Sequence, residues 1–202
     1  MKKIILTVAA VFAFGFANAQ DKKEDSGTGF AKGDIFITGA FNINSTNDKN
    51  APETKTNGFE IAPQVNFFLT SNITLGAMIS YTSFKAEDAT DDLVDESTIA
   101  VGLAGRYYFT PASQFSAFAE LAAEYHSMTD NLAEPEFKVN GVAVAVAPGI
   151  AYHLSNHWSV EAKWGVLGFA SDKADVDGAE NVTAFAFGLD LRDLTVGLNY
   201  KF

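Results

Sequence analysis

The sequence predicts an all-β fold, an eight-stranded antiparallel up-and-down transmembrane β-barrel. From Gly33 onward, apolar residues alternate with small or polar ones at a period of two, the spacing of strands and not of helices. Short and long connections between the predicted strands alternate strictly along the chain. The phrase IAPQVNFFLTSNITLG at 61–76 returns as VAPGIAYHLSNHWSVE at 146–161. A hairpin is therefore the repeated unit.

The first 19 residues have the pattern of a secretory signal peptide. Lys2 and Lys3 precede an apolar run at 4–16, and Ala17-Asn18-Ala19 matches a small-x-small cleavage site. The apolar run is shorter than the roughly 20 residues that a membrane helix needs. We therefore expect export followed by cleavage after Ala19.

Residues 20–32 are polar, charged and rich in glycine, and they show no period. This composition predicts a flexible leader before a barrel domain at 33–202. No later apolar stretch is long enough for a membrane helix. The net charge of −11 excludes nucleic acid as a partner, because phosphates require a basic face. With no cysteine, the chain has no disulfides.

The alternation defines eight strands, and the connections between them are of two kinds. The predicted strands are 33–44, 57–69, 73–84, 97–109, 115–126, 141–154, 158–169 and 182–202. The short turns are 70–72, 110–114 and 155–157, and the long connections are 45–56, 85–96, 127–140 and 170–181. Outer-membrane barrels are built in this way, with short turns on the periplasmic side. The long connections hold most of the acidic residues and are predicted to be extracellular loops.

Each strand has one apolar face and one face of small or polar residues. On strand 97–109, for example, Val101 and Leu103 share one face, whereas Ala104 and Arg106 share the other. A soluble barrel would need a charged exterior, but the second face is mostly Ala, Gly, Ser and Thr. Small residues suit the narrow inside of an eight-stranded barrel. The apolar face is therefore predicted to contact lipid.

Aromatic residues of the outward face cluster beside the short turns and at the chain end. They are Phe67, Tyr107, Phe109, Phe115, Tyr152, Trp158, Tyr200 and Phe202. A second cluster near the long connections contains Phe41, Phe59, Tyr81 and Tyr125. Strand propensity alone predicts neither the clustering nor the shared face. Both clusters are therefore predicted to be aromatic girdles at the membrane interfaces.

The inward face collects ionisable side chains, which we predict to form an ion-paired lumen network. Its predicted members are Glu60, Arg106, Glu120, Glu124, Glu161, Lys163 and Asp190. Arg106 and Glu120 flank a short turn, which places them diagonally across neighbouring strands and within reach of long side chains. Opposite charges in a narrow lumen should pair, because an isolated buried ion is costly. The network predicts a structural plug, and a gated ion path is the alternative.

Two prolines and the last predicted strand indicate irregular structure. Pro63 and Pro148 fall inside strands, where each removes a ladder donor, so each is expected at a bulge. The strand 182–202 is longer than a membrane crossing needs, and its parity changes, which predicts a bulge at Arg192-Asp193. A separate turn at this place would instead make nine strands.

Catalytic and metal-binding patterns are not found in the sequence. His153 and Ser155 have a two-residue spacing, as do His157 and Ser159, but both pairs flank a periplasmic turn. No Ser-His-acid group assembles on one face near the outer leaflet. The acidic connections lack a calcium-loop pattern. We expect no enzyme activity, no metal and no cofactor.

The chain resembles the small outer-membrane β-barrel family that includes OmpX and the transmembrane part of OmpA. The resemblance rests on the cleavage region at 17–20, RYYF at 106–109, the two hairpin phrases and the ending TVGLNYKF. It implies an assembly signal, read by the barrel assembly machinery, in the alternating residues Val196, Leu198, Tyr200 and Phe202. It also implies the outer membrane as the location. The peptidoglycan-binding domain of full OmpA-like proteins is not expected.

The expected function is structural or surface-interactive, with a plugged lumen and acidic loops that bind an unknown extracellular ligand. A narrow channel for ions or small solutes is the alternative. A lipid A enzyme is a third, weaker hypothesis.

Overall fold

The computed structural model describes residues 28–50, 53–188 and 194–202. The predicted signal peptide, the first part of the leader, Asp190 and the predicted bulge at Arg192-Asp193 lie outside these residues. In the described ranges no helix is long and apolar enough to cross a membrane.

In the described residues, ten antiparallel strands make up the eight positions of one closed ring. They are β1 (Ile35–Asp48), β2 (Thr54–Phe68), β3 (Ile73–Asp88), β4 (Asp92–Tyr108), β5 (Phe115–Asp130), β6 (Phe137–His153), β7 (Trp158–Trp164), β8 (Leu167–Ala174), β9 (Val182–Phe187) and β10 (Leu194–Lys201). Strands β7 and β8 share the seventh position, because both pair with β6, and β9 and β10 share the eighth. Pairing of β1 with β10, from Phe36↔Lys201 to Ala40↔Gly197, closes the ring. The predicted eight-stranded barrel is confirmed.

The break between β7 and β8 is a one-residue bulge opposite Pro148. Gly149 pairs with Lys163, but Val146 pairs with Leu167, so the register shifts by one residue at this point. Proline has no amide hydrogen to donate there, and the bulge accommodates the missing ladder bond. The expected bulge at Pro148 is confirmed.

The expected bulge at Pro63 is wrong. Ile61 pairs with Tyr81 and Gln64 with Met78, which is one continuous register. Pro63 lies opposite Gly39 in β1. The strand therefore accepts proline without an extra residue.

Most of the predicted long loops are strand. Strands β2 to β6 continue well past the second aromatic cluster, here called the upper cluster and the one beside the short turns the lower cluster. The connection between β3 and β4 is reduced to residues 89–91. Polar residues pair across these outer ends, as in the ion pairs Lys55–Glu87, at 3.7 Å, and Lys85–Asp95. The sequence prediction relied on alternating apolar residues, and these stop before the strands end. Beyond that point, polar side chains on paired strands contact each other instead. Many of the acidic residues therefore lie on hairpins that extend beyond the upper aromatic cluster. These outer parts of the hairpins are called the raised hairpins.

Asp88 orders the tip of the β3–β4 hairpin, at the end of the barrel away from the short turns. Its carboxylate accepts hydrogen bonds from the backbone amides of Thr90 and Asp91, each at 2.8 Å, and from the Thr90 hydroxyl. These bonds, above all the one from the Thr90 amide, hold the pKa of Asp88 below its ordinary value.

Acidification is therefore expected to loosen this tip. A lowered carboxyl pKa means that the stabilisation is present above the ordinary value and is lost as the pH falls through the lowered one. The amide NMR shifts of Thr90 and Asp91 should titrate together in the acid range. In Asp88→Ala this common titration should be absent, and its persistence would contradict the assignment.

Candidate functional site in the barrel lumen

Arg106 lies at the centre of the lumen, brought there by the inward face of β4. It pairs in register with Glu120 on β5, so the two stand directly opposite each other across neighbouring strands, and the predicted diagonal placement is wrong. Its relative exposure is 1%. A charge so completely removed from water requires partners that satisfy it.

Arg106 bridges two carboxylates from different parts of the ring. Its Nε donates to Glu120 Oε2 at 2.5 Å. Its Nη1 and Nη2 donate to the two oxygens of Glu161 on β7, at 2.8 and 3.0 Å. This two-point geometry is the strong form of the arginine–carboxylate pair. The bridge therefore ties β4 to β5 and, across the lumen, to β7.

Lys163 completes a balanced cluster. Its Nζ donates to the second oxygen of Glu120 at 2.7 Å. Two cations, Arg106 and Lys163, thus face two carboxylates, Glu120 and Glu161. The cluster has no formal net charge, which is how a low-dielectric interior tolerates ions.

Neutral polar side chains extend the cluster to β1, β2 and β10. Gln64 donates to Asn66 at 2.8 Å, and Asn66 donates to Thr38 at 3.4 Å. Asn199 donates to Glu161 at 2.9 Å and to Ser159 at 3.2 Å. Side chains from six positions of the ring therefore meet at one cross-section of the lumen.

A layer of aromatic rings lies next to this cross-section, on the side of the short turns. Phe36, Phe68, Tyr108 and Phe118 are fully buried in one cluster with Phe30. The guanidinium carbon of Arg106 lies 4.8 Å from the centre of the Phe118 ring, and Arg106 Nη1 donates to the Tyr108 hydroxyl at 3.2 Å. Cations bind favourably to aromatic faces. The ionic and aromatic layers therefore support each other.

Phe30 is a buried member of this aromatic layer that the sequence pattern did not single out. It falls in the predicted leader 20–32, yet its exposure is 2%. The boundary of the barrel domain at Gly33 stays a prediction, but the packed part of the chain begins earlier. A lone aromatic in the polar stretch TGFAKG was the only available signal.

Above the ionic cross-section, a cavity of about 550 Å³ occupies the outer half of the lumen. Gln64, Glu120, Glu161 and Lys163 contribute to its lining, and much of the remaining wall is alanine. Methyl groups leave room where larger side chains would fill the barrel.

Two predicted network members lie in this cavity and not in the network. Glu60 and Glu124 line it, and neither forms an ion pair within the part of the chain that the structure describes. Each stands four residues nearer the outer end than Gln64 or Glu120 on its strand, so it lies on the same face of the strand but at another height. Arg106, Glu120, Glu161 and Lys163 are the predicted members that the structure brings together.

The predicted girdle residues stand on the outward surface near the short turns. Phe67, Tyr107, Phe109, Phe115, Tyr152, Trp158 and Phe202 are exposed, and Tyr200 is partly covered. Edge-to-face ring pairs join Tyr107 to Phe109 and Trp158 to Tyr200, with centroids 5.2 and 4.9 Å apart. Phe41, Phe59, Tyr81 and Tyr125 are exposed nearer the outer end. Their role at the membrane interfaces stays a prediction.

Three residues of the proposed assembly signal, Val196, Leu198 and Tyr200, lie on β10, the strand that pairs with both β1 and β7, and Phe202 follows directly after it. Val196, Leu198 and Phe202 are exposed. Recognition of these residues by an assembly machinery stays a prediction.

The histidines occupy separate places in the barrel. His126 pairs with Asp172 at 2.8 Å near the outer end, His153 packs against Phe30, and His157 contacts the Lys201 carbonyl at 2.9 Å. In the described residues no group of three or more His, Cys, Asp or Glu could hold a metal ion.

The family of the chain follows from its sequence as a whole. The family model of the outer membrane protein beta-barrel domain matches residues 6–202. The chain belongs to this family. The protein is thus an outer-membrane barrel, and lipid surrounds its outward face. A comparison with curated protein sequences gave no significant match.

Two solved structures have a similar fold. The outer membrane protein OprG from Pseudomonas aeruginosa is 17% identical, with a TM-score of 0.53, over 87% of this chain and 98% of OprG. Neisserial surface protein A is 14% identical, with a TM-score of 0.50, over 86% of this chain and 99% of that one. At these identities, the likeness concerns the fold.

Proposed function

We propose that the protein is a non-enzymatic structural barrel with a closed lumen that interacts with its surroundings through raised acidic hairpins. The cross-section around Arg106 carries this proposal. A neutral set of mutually bonded ionic side chains spans the lumen at this height and obstructs it. The aromatic layer beneath it adds a second obstruction.

The raised hairpins supply the interaction surface. Their acids include Glu87, Asp88, Asp91, Asp92, Asp130, Glu134 and Glu136. An excess of carboxylates attracts partners with positive charge, through complementary potentials that steer encounter. We therefore expect the extracellular ligand to be basic, or to present a basic surface.

The absence of catalysis is part of the proposal. The three histidines contact an aspartate, an aromatic ring and a backbone carbonyl, and none of these contacts activates a serine. Nucleophilic hydrolysis requires a hydroxyl and a base within hydrogen-bonding distance.

A narrow channel is the second candidate, and the outer cavity favours it. Its volume of about 550 Å³ holds water or a small solute. Solutes could cross only if the ionic and aromatic layers opened. Conductance therefore separates the two candidates.

The interaction role is tested by trimming one raised hairpin. Ser127 and Asn140 face each other in the β5–β6 ladder, so an Asn-Gly turn can join them in place of residues 128–139. Cells that display the trimmed barrel should bind fewer polylysine-coated beads than cells that display the wild type. Both proteins should fold equally well, as judged by gel migration before and after boiling.

A control variant keeps the hairpin and removes only its charge, with Asp130, Glu134 and Glu136 each changed to the amide. It should lose binding to a similar extent as the trimmed barrel. Undiminished binding by both variants would overturn the proposed role of the hairpin.

A further inference from the structure

The segment Gly29–Asp34 turns into the periplasmic end of the barrel before β1 begins. The ring of Phe30 stacks on Phe36, with centroids 4.6 Å apart, and contacts Phe68 at 5.0 Å. It also packs edge-to-face with the ring of His153, with centroids 4.5 Å apart. Side chains from β1, β2 and β6 therefore form a seat for this one ring.

Polar contacts fix the backbone of the segment over the seat. The Phe30 amide donates to the Pro111 carbonyl at 2.8 Å, and the Gly33 amide donates to the Phe68 carbonyl at 2.9 Å. Lys201 Nζ donates to the Gly29 carbonyl at 2.5 Å. The segment is thus held by the connection between β4 and β5, by the end of β2 and by the closing strand β10.

The backbone at Gly29 is adapted to this position. Its φ is +130°, and a Cβ there would lie 2.7 Å from the Ala112 carbonyl carbon. Only glycine combines this φ with so close an approach to another backbone. The local sequence thus suits the inserted conformation.

From these contacts we propose that Gly29–Asp34 is a releasable plug, a second barrier in series with the ionic network. The inference rests on the closed lumen proposed above. The contacts that hold Phe30 in its seat lie outside the ladder that closes the ring. The ring can therefore leave its seat while every strand pairing of the barrel stays intact.

Polar atoms around the seat make its release easier. Three polar side-chain atoms at this end of the barrel are buried and have no hydrogen-bond partner among the described residues. They are His153 Nε2, Ser116 Oγ and Thr74 Oγ1. Buried polar groups without partners destabilise the state that buries them. When the plug leaves, water reaches this end of the lumen and can hydrate such groups. These polar groups thus disfavour the closed state, in which they are buried.

Two barriers in series predict that neither alone controls passage. The test records single-channel conductance in planar bilayers for three folded variants and the wild type. Arg106→Ser with Glu161→Ser opens the ionic layer and leaves the Glu120–Lys163 pair intact. Phe30→Ala empties the seat, and the triple variant combines the changes.

The wild type and both partial variants should be silent, and the triple variant should conduct. Phe109→Ala is the matched control, because it removes a ring from the outward surface at the same end of the barrel. Combined with the ionic variant, it should stay silent. Conductance of the ionic variant alone, or silence of the folded triple variant, overturns the plug. Conductance of the wild type overturns the closed lumen itself.

Thiol labelling tests the plug without any need for conduction. The chain has no cysteine, so Ser116→Cys introduces a single thiol on the fully buried inner face. A small charged thiol reagent should label it about tenfold faster when Phe30→Ala is added, because local opening then costs less. Phe109→Ala should leave the rate unchanged. Equal rates with and without Phe30 would contradict a plug.

Discussion

Replacing Arg106 with methionine is expected to lower the free energy of unfolding by about 3–5 kcal/mol. The change leaves Glu161 without its two-point partner and Glu120 with Lys163 alone. Uncompensated buried carboxylates, and not lost contacts, account for the size of the effect. Urea unfolding of the barrel in lipid vesicles, followed by tryptophan fluorescence, measures it.

The matched control removes both members of the bridge, Arg106→Met with Glu161→Met. This double variant is expected to be more stable than Arg106→Met alone, because no buried carboxylate is left without a cation. The Glu120–Lys163 pair is untouched. A single variant as stable as the wild type, or a double variant less stable than the single one, would contradict the balanced cluster.

Replacing Leu103 with arginine is expected to lower the free energy of unfolding in lipid by about 2–4 kcal/mol. Leu103 is 60% exposed on the outward face of β4. It lies four residues from Tyr107 in the lower aromatic cluster and four from Ile99, which pairs with Tyr81 in the upper cluster. The site is thus near the middle of the apolar band, where a charge on the lipid face costs most.

Leu93→Arg is the control for this prediction. Leu93 is also exposed and lies on the same strand, but at its outer end beside the hairpin tip. Its replacement should leave the unfolding midpoint unchanged, because water and not lipid surrounds it. Equal effects at the two positions would mean that the apolar face does not contact lipid.

The architecture could be predicted because period-two alternation is a local property of the chain. The two faces of β4 follow directly from residues such as Leu103 and Arg106. The β4–β5 hairpin put Glu120 within reach of Arg106, although the two are directly opposite and not diagonal as predicted. The missing amide hydrogen of proline predicted the bulge at Pro148 correctly but failed at Pro63, where the register is continuous, so this signal alone does not decide where a bulge forms. These features depend on neighbours in the sequence.

Relations across the lumen could not be predicted in the same way. Which residues of distant strands reach one height depends on strand tilt and stagger, which the alternation leaves undetermined. The bond from Arg106 to Glu161 joins distant strands at one height, whereas Glu60 and Glu124 lie above the network. The insertion of Phe30 depends on a fold that forms around it, and no period marks it.

Single-channel recording from the folded wild-type protein tests the central claim, a lumen closed by Arg106, Glu120, Glu161 and Lys163. Protein with the gel migration of a folded barrel is inserted into a planar bilayer and held at both signs of voltage. We predict no conductance steps above those of the protein-free bilayer. Steady steps that persist in repeated insertions would show an open path and contradict the closed lumen.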